Sequence, residues 1–179
     1  GHPDTALAVH TILKQHPHIP VIFDPVLAAG GGADLSGDGL IRAINDLLLP
    51  YTTILTPNSE EARRLTGLND LKECGLSLLE KGCDYVLITG THETTPEVSN
   101  QLFHDGRCCE TYSWNRLPHS YHGSGCTLAA SIAALLAQGL DALQAIAEAQ
   151  EYTWNSLNAA YQPGKGQYIP NRCYWVDDE

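Results

Sequence analysis

Pro20-Val21-Ile22-Phe23-Asp24-Pro25 is a short β-branched and aromatic run bounded at both ends by proline and stopped by an acid. It is too short for a helix and rich in residues that suit a pleated, buried surface, so it predicts an interior strand. Runs of the same kind recur at Thr52-Thr53-Ile54-Leu55 and Tyr85-Val86-Leu87-Ile88. Helical stretches lie between and before them. Residues 4–15 carry Ala6, Leu7, Val9, Ile12 and Leu13; residues 38–49 stop before or at Pro50; two further segments surround Gly67-Leu68, the second ended by Gly82. Strands alternating with helices over connections of this length predict right-handed crossovers and a mostly parallel sheet. Beyond Ile88 the pattern changes. Segments at 98–103 and 108–114 flank Asp105-Gly106, a two-residue signal for an antiparallel hairpin. Two alanine-rich helices are expected at 125–138 and 141–160, separated by Gly139, and an edge strand at 173–176. The expected architecture is a single α/β domain over residues 1–179, its central sheet flanked by helices.

Composition limits what such a domain can do. With 10 Lys+Arg against 21 Asp+Glu, the 179-residue chain carries a formal charge of −11 and has no basic run, which argues against nucleic acid as a partner. Phosphorylated small molecules stay open, because a helix N-terminus or a bound cation holds them locally. A hydrophobic share of 43% with 17% charged residues excludes a disordered chain. Cys74, Cys83, Cys108, Cys109, Cys126 and Cys173 form no CxxC pair, so neither a disulfide scaffold nor a zinc knuckle is expected. No signal peptide and no long apolar run is visible, and the expectation is a soluble cytoplasmic protein that does not engage a membrane. Met is absent, including at position 1, which reads as the later portion of a longer protein.

Two local motifs carry chemistry. His122-Gly123-Ser124-Gly125-Cys126-Thr127 opens an alanine-rich helix. Its glycines allow a close turn, and the free N–H groups of a first helical turn can hold a phosphoryl group or charge developing on it. The same place lowers a thiol pKa, so Cys126 can serve as base or nucleophile; the alternative is a glycine-assisted helix cap with a small buried thiol. In Thr56-Pro57-Asn58-Ser59-Glu60-Glu61-Ala62, Asn58 and Glu61 stand three apart at a helix start. Glu61 can hold a magnesium-bound water, or the pair can form a capping box. Asp24 ends the first strand, at the sheet edge where open parallel sheets bind ligands. GxxxxGK[ST] and GxGxxG are both missing, which argues against a P-loop ATPase and an ordinary dinucleotide site.

Asp24-Pro25-Val26, TPNSEEARRLTG at 56–67, Leu87-Ile88-Thr89-Gly90-Thr91-His92 and SYHGSGCTLAASIAALLAQG at 120–139, in that order, resemble the hydroxymethylpyrimidine/phosphomethylpyrimidine kinases of thiamine biosynthesis, a ribokinase-like family. The resemblance covers almost the whole chain, which corresponds to the C-terminal two-thirds or so of a family member; the N-terminal strands and much of the pyrimidine pocket fall outside it. It implies ATP-dependent, Mg²⁺-assisted phosphorylation of 4-amino-5-hydroxymethyl-2-methylpyrimidine and then of its monophosphate. By resemblance, Gly123, Ser124 and Gly125 form the anion hole, and Cys126 stands near the acceptor oxygen where many sugar kinases carry Asp. Val26 matches a position lining the pyrimidine. Asn58 and Glu61 match the element that organises magnesium and phosphate, with Asp24 beside them as a second acid. Thr89 and Gly90 fall in the nucleotide segment. A homodimer is a further implication.

Two positions depart from the family pattern. Thr89 stands where many members carry the lysine of Lys-Gly-Gly-His, and Gln150 corresponds to another lysine on the last helix. Losing both weakens direct phosphate neutralisation. Thr89 occurs in related kinases and so points to a subfamily. Lys165, between Gly164 and Gly166, is either a phosphate contact or a surface lysine in a turn. The alternatives are a pyridoxal or pyridoxine kinase, whose acceptor is also a hydroxymethylated heteroaromatic ring, and a catalytically weak ligand-binding regulator.

Overall fold

A computed structural model describes residues 2–27 and 37–176; the glycine loop at Gly30-Gly31-Gly32 lies outside the described residues. The chain forms two compact units, Gly1–Trp114 and Asn115–Glu179.

In the first unit, α1 (Pro3–Gln15) precedes β1 (Ile22–Phe23), α2 (Asp38–Ala43), β2 (Ile54–Leu55), α3 (Ser59–Thr66), α4 (Leu71–Glu80), β3 (Tyr85–Ile88), β4 (Glu97–His104) and β5 (Arg107–Asn115). The sheet order follows the chain, β1-β2-β3-β4-β5. β1, β2 and β3 run parallel, with Ile22 opposite Ile54 and Ile54 opposite Tyr85. β4 returns antiparallel to β3, pairing Leu102 with Leu87. The hairpin is closed by Asp105 (φ 50°) and Gly106 (φ 69°), both left-handed as a two-residue twisted turn requires. The α/β class is as expected, with the parallel crossovers confined to the first three strands.

The helix expected over 38–49 changes its winding on the way. α2 passes into a π turn over Ile44–Leu48 and then a 3₁₀ turn over Leu49–Tyr51. Pro50 is accommodated because it sits in the first turn of the 3₁₀ segment, where its missing N–H costs no helical bond. Leu49, Leu55, Leu65, Cys74, Leu78, Val86, Ile88 and Phe103 belong to one buried cluster. Gly75 lies against the Phe103 ring so closely that a Cβ there would overlap it, which lets α4 lie down on β4.

The second unit contains α5 (Ser124–Ala137) and α6 (Ala142–Asn158), which pack on each other, with Leu128, Ile132, Ala145, Ile146 and Ala149 buried. Gly139 (φ 95°) makes the turn between them. Past α6 the tail doubles back. Tyr161 bridges Ile169, and Tyr168 bridges Tyr121. The edge strand expected at 173–176 is replaced by a turn: the Asn171 side chain accepts from the Cys173 N–H at 3.1 Å, and Val176 N–H donates to the Cys173 carbonyl at 2.9 Å. An Asx turn of this kind satisfies locally the groups a strand would pair with a neighbour. No described helix is long and apolar enough to cross a membrane.

Candidate active site

The parallel strands deliver Asp24, Asn58 and Thr89 just beyond the C-terminal ends of β1, β2 and β3. Thr89 extends the sheet by one step: its N–H donates to the Pro57 carbonyl at 2.9 Å, and its carbonyl accepts from Ser59 N–H at 3.0 Å. That bridge sets the N-terminus of α3 against the strand end. Gly90 follows, with its N–H on Asn100 Oδ1 at 3.1 Å and its Cα so close to the Ser99 carbonyl that a Cβ would collide with it. Only glycine lets the chain leave β3 along this path.

Asn58 and Glu61 form the capping box. Glu61 N–H donates to Asn58 Oδ1 and Asn58 N–H to Glu61 Oε2, each at 2.9 Å. Leu27 N–H reaches Glu61 Oε1 at 3.4 Å. Each Glu61 oxygen therefore accepts one backbone bond and keeps lone-pair capacity. Burial pushes the Glu61 carboxyl up, opposed by the N–H groups of Asn58 and Leu27 and by His92. Asp24 is pushed up to about 6, by burial first and then by the charge of Glu61. A partly exposed Asp24 and a buried Glu61 whose carboxylates repel each other are hard oxygen donors with negative charge in excess, which fits a Mg²⁺ ion that takes one or two carboxylates and completes its shell with water and phosphate. Among the described residues no group of three His, Cys, Asp or Glu could hold a metal. Asp24 and Glu61 would serve only with a phosphate ligand completing the shell.

Asp24 makes stability depend on pH. Its folded pKa of about 6 exceeds the unfolded 3.8, so the folded state binds the proton more tightly. Stability in chelator-treated buffer should therefore fall as pH rises through that interval, and Asp24→Asn should flatten the slope in thermal melts. An unchanged slope in the variant would contradict the assignment.

In the second unit, Gly123 caps α5 in the left-handed region (φ 88°) and no side chain caps the helix. Ser124, Gly125 and Cys126 occupy the first three helical positions, and the Cys126 thiol is exposed. Thr127 hydroxyl donates to the Gly123 carbonyl at 2.7 Å and accepts from Arg172 Nε at 3.1 Å. Arg172 lies against the loop: a Cβ on Gly123 would stand 3.3 Å from its Nη2. The returning tail holds this arrangement, with His122 N–H on the Tyr168 carbonyl and Asn171 N–H on the Ser156 carbonyl, each at 2.9 Å. Sequence reasoning missed Arg172. It is 45 residues from Thr127, and nothing in Pro170-Asn171-Arg172 signals the bond.

The remaining expected residues are placed as follows. Val26 is 49% exposed, an apolar side chain left in the open just past β1. Gln150 is buried, and its amide nitrogen donates to the Ile146 carbonyl at 3.1 Å, which makes it a helix-core residue. Lys165 is exposed in its turn. Trp175 is 61% exposed.

A sequence model of the phosphomethylpyrimidine kinase family matches residues 1–171. The thiamine biosynthesis bifunctional protein ThiED of Geobacter sulfurreducens is 33% identical over 98% of this chain and 37% of its own length. The hydroxymethylpyrimidine/phosphomethylpyrimidine kinase of Synechococcus elongatus is 37% identical over 83% of this chain and 59% of its own. The chain thus spans less than two-thirds of either relative. Among solved structures, the pyridoxal kinase of Bacillus subtilis, in an ADP complex, superposes with a TM-score of 0.86 at 25% identity, covering 97% of this chain and 67% of that one. With the family's sequence pattern running from the first residue through the tail that carries Asn171, the chain belongs to the phosphomethylpyrimidine kinase family.

Proposed function

We propose that the protein carrying this chain transfers the γ-phosphoryl group of ATP to the hydroxymethyl group of 4-amino-5-hydroxymethyl-2-methylpyrimidine, and then phosphorylates the resulting monophosphate, in the cytoplasm. The observation that carries the reading is the start of α5: an exposed Cys126 in the first turn of a helix whose N–H groups have no side-chain cap, with Arg172 tied to the same turn through Thr127. In the first transfer, the acceptor hydroxyl passes its proton toward Cys126 Sγ as its oxygen bonds to phosphorus and the bond to the ADP oxygen breaks. The N–H groups of Ser124, Gly125 and Cys126 and the Arg172 guanidinium take up charge on the transferring oxygens. Asp24 and Glu61 would hold Mg²⁺, which when bound neutralises phosphate charge. Thr89 and Gly90, their backbone groups bonded to Pro57, Ser59, Asn100 and Glu93, would set the path of the nucleotide segment, and Val26 offers an apolar face to the acceptor ring. Gln150 has no part in this assignment, because it is buried in the helix core.

A second reading is a pyridoxal kinase, favoured by the likeness to the Bacillus subtilis enzyme. ADP formation with Mg-ATP, compared on hydroxymethylpyrimidine, its monophosphate and pyridoxal, separates the two. Turnover of the first two with little on pyridoxal supports the main reading, and the reverse preference supports the second. A folded, ATP-binding protein that turns over none of the three would sink both and leave a regulatory ligand-binding role.

A further inference from the structure

Thr89–Glu93 leaves β3 through a turn, in which Glu93 N–H donates to the Gly90 carbonyl at 3.1 Å, and the segment is fastened along its length. The first two fastenings are backbone: Thr89 on Pro57 and Ser59, and Gly90 on Asn100. The third is a side-chain clamp. Arg63, in the second turn of α3, donates from Nη1 to Glu93 Oε1 at 2.7 Å and from Nη2 to Glu93 Oε2 at 3.2 Å. Its Nε donates to the Asn69 carbonyl at 3.0 Å, so all three guanidinium nitrogens are engaged and the fork has a fixed plane. The Arg63 bond, with the Ser59 hydroxyl adding to it, holds the Glu93 carboxyl down at about 2. Between the backbone fastenings and the clamp lie Thr91 and His92, both exposed. The field of His92 reaches both Glu61 and Glu93.

We propose that Arg63 and Glu93 are positioning residues for the nucleotide: the bidentate clamp fixes the far end of the Thr89–Glu93 segment on α3, so that the exposed Thr91 and His92 meet ATP already ordered. This rests on the kinase reading. The clamp does little for global stability, because each side chain is 32% exposed and an ion pair that open to water is weak. Its effect is local. Without it the segment keeps the bonds of Thr89 and Gly90 and the turn bond from Glu93 N–H to the Gly90 carbonyl at 3.1 Å, but loses the bidentate hold on α3, so part of its ordering must be met from binding energy. If the unclamped segment is in place only about a fifth of the time, the apparent affinity for ATP falls about fivefold.

The experiment uses the full-length protein as wild type, Arg63→Gln, Glu93→Gln and the charge-swapped pair Arg63→Glu/Glu93→Arg. Three readouts are taken: KM for ATP against kcat, thermal midpoint, and amide exchange across residues 89–93. The expected result for either single variant is a KM raised about fivefold with kcat within about twofold, a midpoint little moved and faster exchange confined to the segment. The swap should recover part of the KM, because it restores the ion pair while losing the bond to Asn69. Unchanged exchange and KM in the single variants would overturn the proposal. So would a lowered midpoint with kcat and KM damaged together and no recovery in the swap, since that is the mark of a structural role. Wild-type turnover keeps the two claims apart: an inactive wild type sinks the kinase reading, whereas an active wild type with indifferent variants sinks the clamp alone.

Discussion

Replacing Cys126 with alanine is expected to slow phosphorylation of the hydroxymethyl acceptor by about 10²–10⁴-fold, the range a lost general base gives, and phosphorylation of the monophosphate by far less. The asymmetry comes from the acceptors. A primary hydroxyl must shed its proton as its oxygen attacks, and the thiol is the group in the first turn of α5 able to receive it. The monophosphate attacks through an oxygen that is already ionised, so no base is required. The placement of Cys126 suits this role: its side chain is exposed at the third helical position, in the turn whose N–H groups have no capping side chain. Cys126→Ser should behave like the alanine variant despite its similar size, because a hydroxyl is a far weaker proton acceptor near neutrality than a thiolate. Steady-state ADP formation with each acceptor gives the two rates. Equal losses in both would remove Cys126 from proton transfer and leave it a packing residue of the loop.

What could be read in advance and what could not divide along the range of the interactions. The strands were legible because each is a short β-branched run with a turn signal at its end, and β3 falls on the expected Tyr85–Ile88. The hairpin was legible from Asp105-Gly106, since the two left-handed residues are neighbours in sequence. At Asn58 and Glu61 the sequence offered a cap and a cation site as rivals; the structure makes the cap, and the Glu61 oxygens keep capacity for the second role. The winding change at Ile44–Leu48 was hidden, because Pro50 announces that an α-helix must yield without saying how. Gln150 looked like a weakened phosphate contact by its place in the family pattern, whereas burial and the bond to Ile146 make it part of the helix core. The Arg63–Glu93 clamp joins residues 30 apart and the Arg172–Thr127 bond residues 45 apart. Neither separation leaves a local pattern, since only the folded backbone brings such pairs together.

Arg172→Ala should lower kcat by about 10²–10³-fold in both phosphorylation steps, as the loss of one fixed donor to a developing oxyanion does. The two steps share a phosphoryl donor and differ in acceptor, so a residue that serves the transferring group must affect them alike. That equality separates Arg172 from Cys126. On the kinase reading, a chain of formal charge −11 has to attract a polyanionic nucleotide, and a cation beside the transferring group serves that need. Arg172 is placed to serve that reading: Nε is committed to the Thr127 hydroxyl, which itself bonds the Gly123 carbonyl, while Nη2 lies beside Gly123. A guanidinium beside uncapped helical N–H groups sets positive charge against positive charge, an arrangement that an arriving phosphoryl relieves. Arg172→Lys keeps the charge and loses the directed Nε bond, so it should recover activity only in part and show a steeper loss with added salt. If alanine at 172 left both rates within about twofold of wild type, the N–H groups of α5 would be carrying the phosphoryl alone, at well under the 10²-fold a working donor contributes.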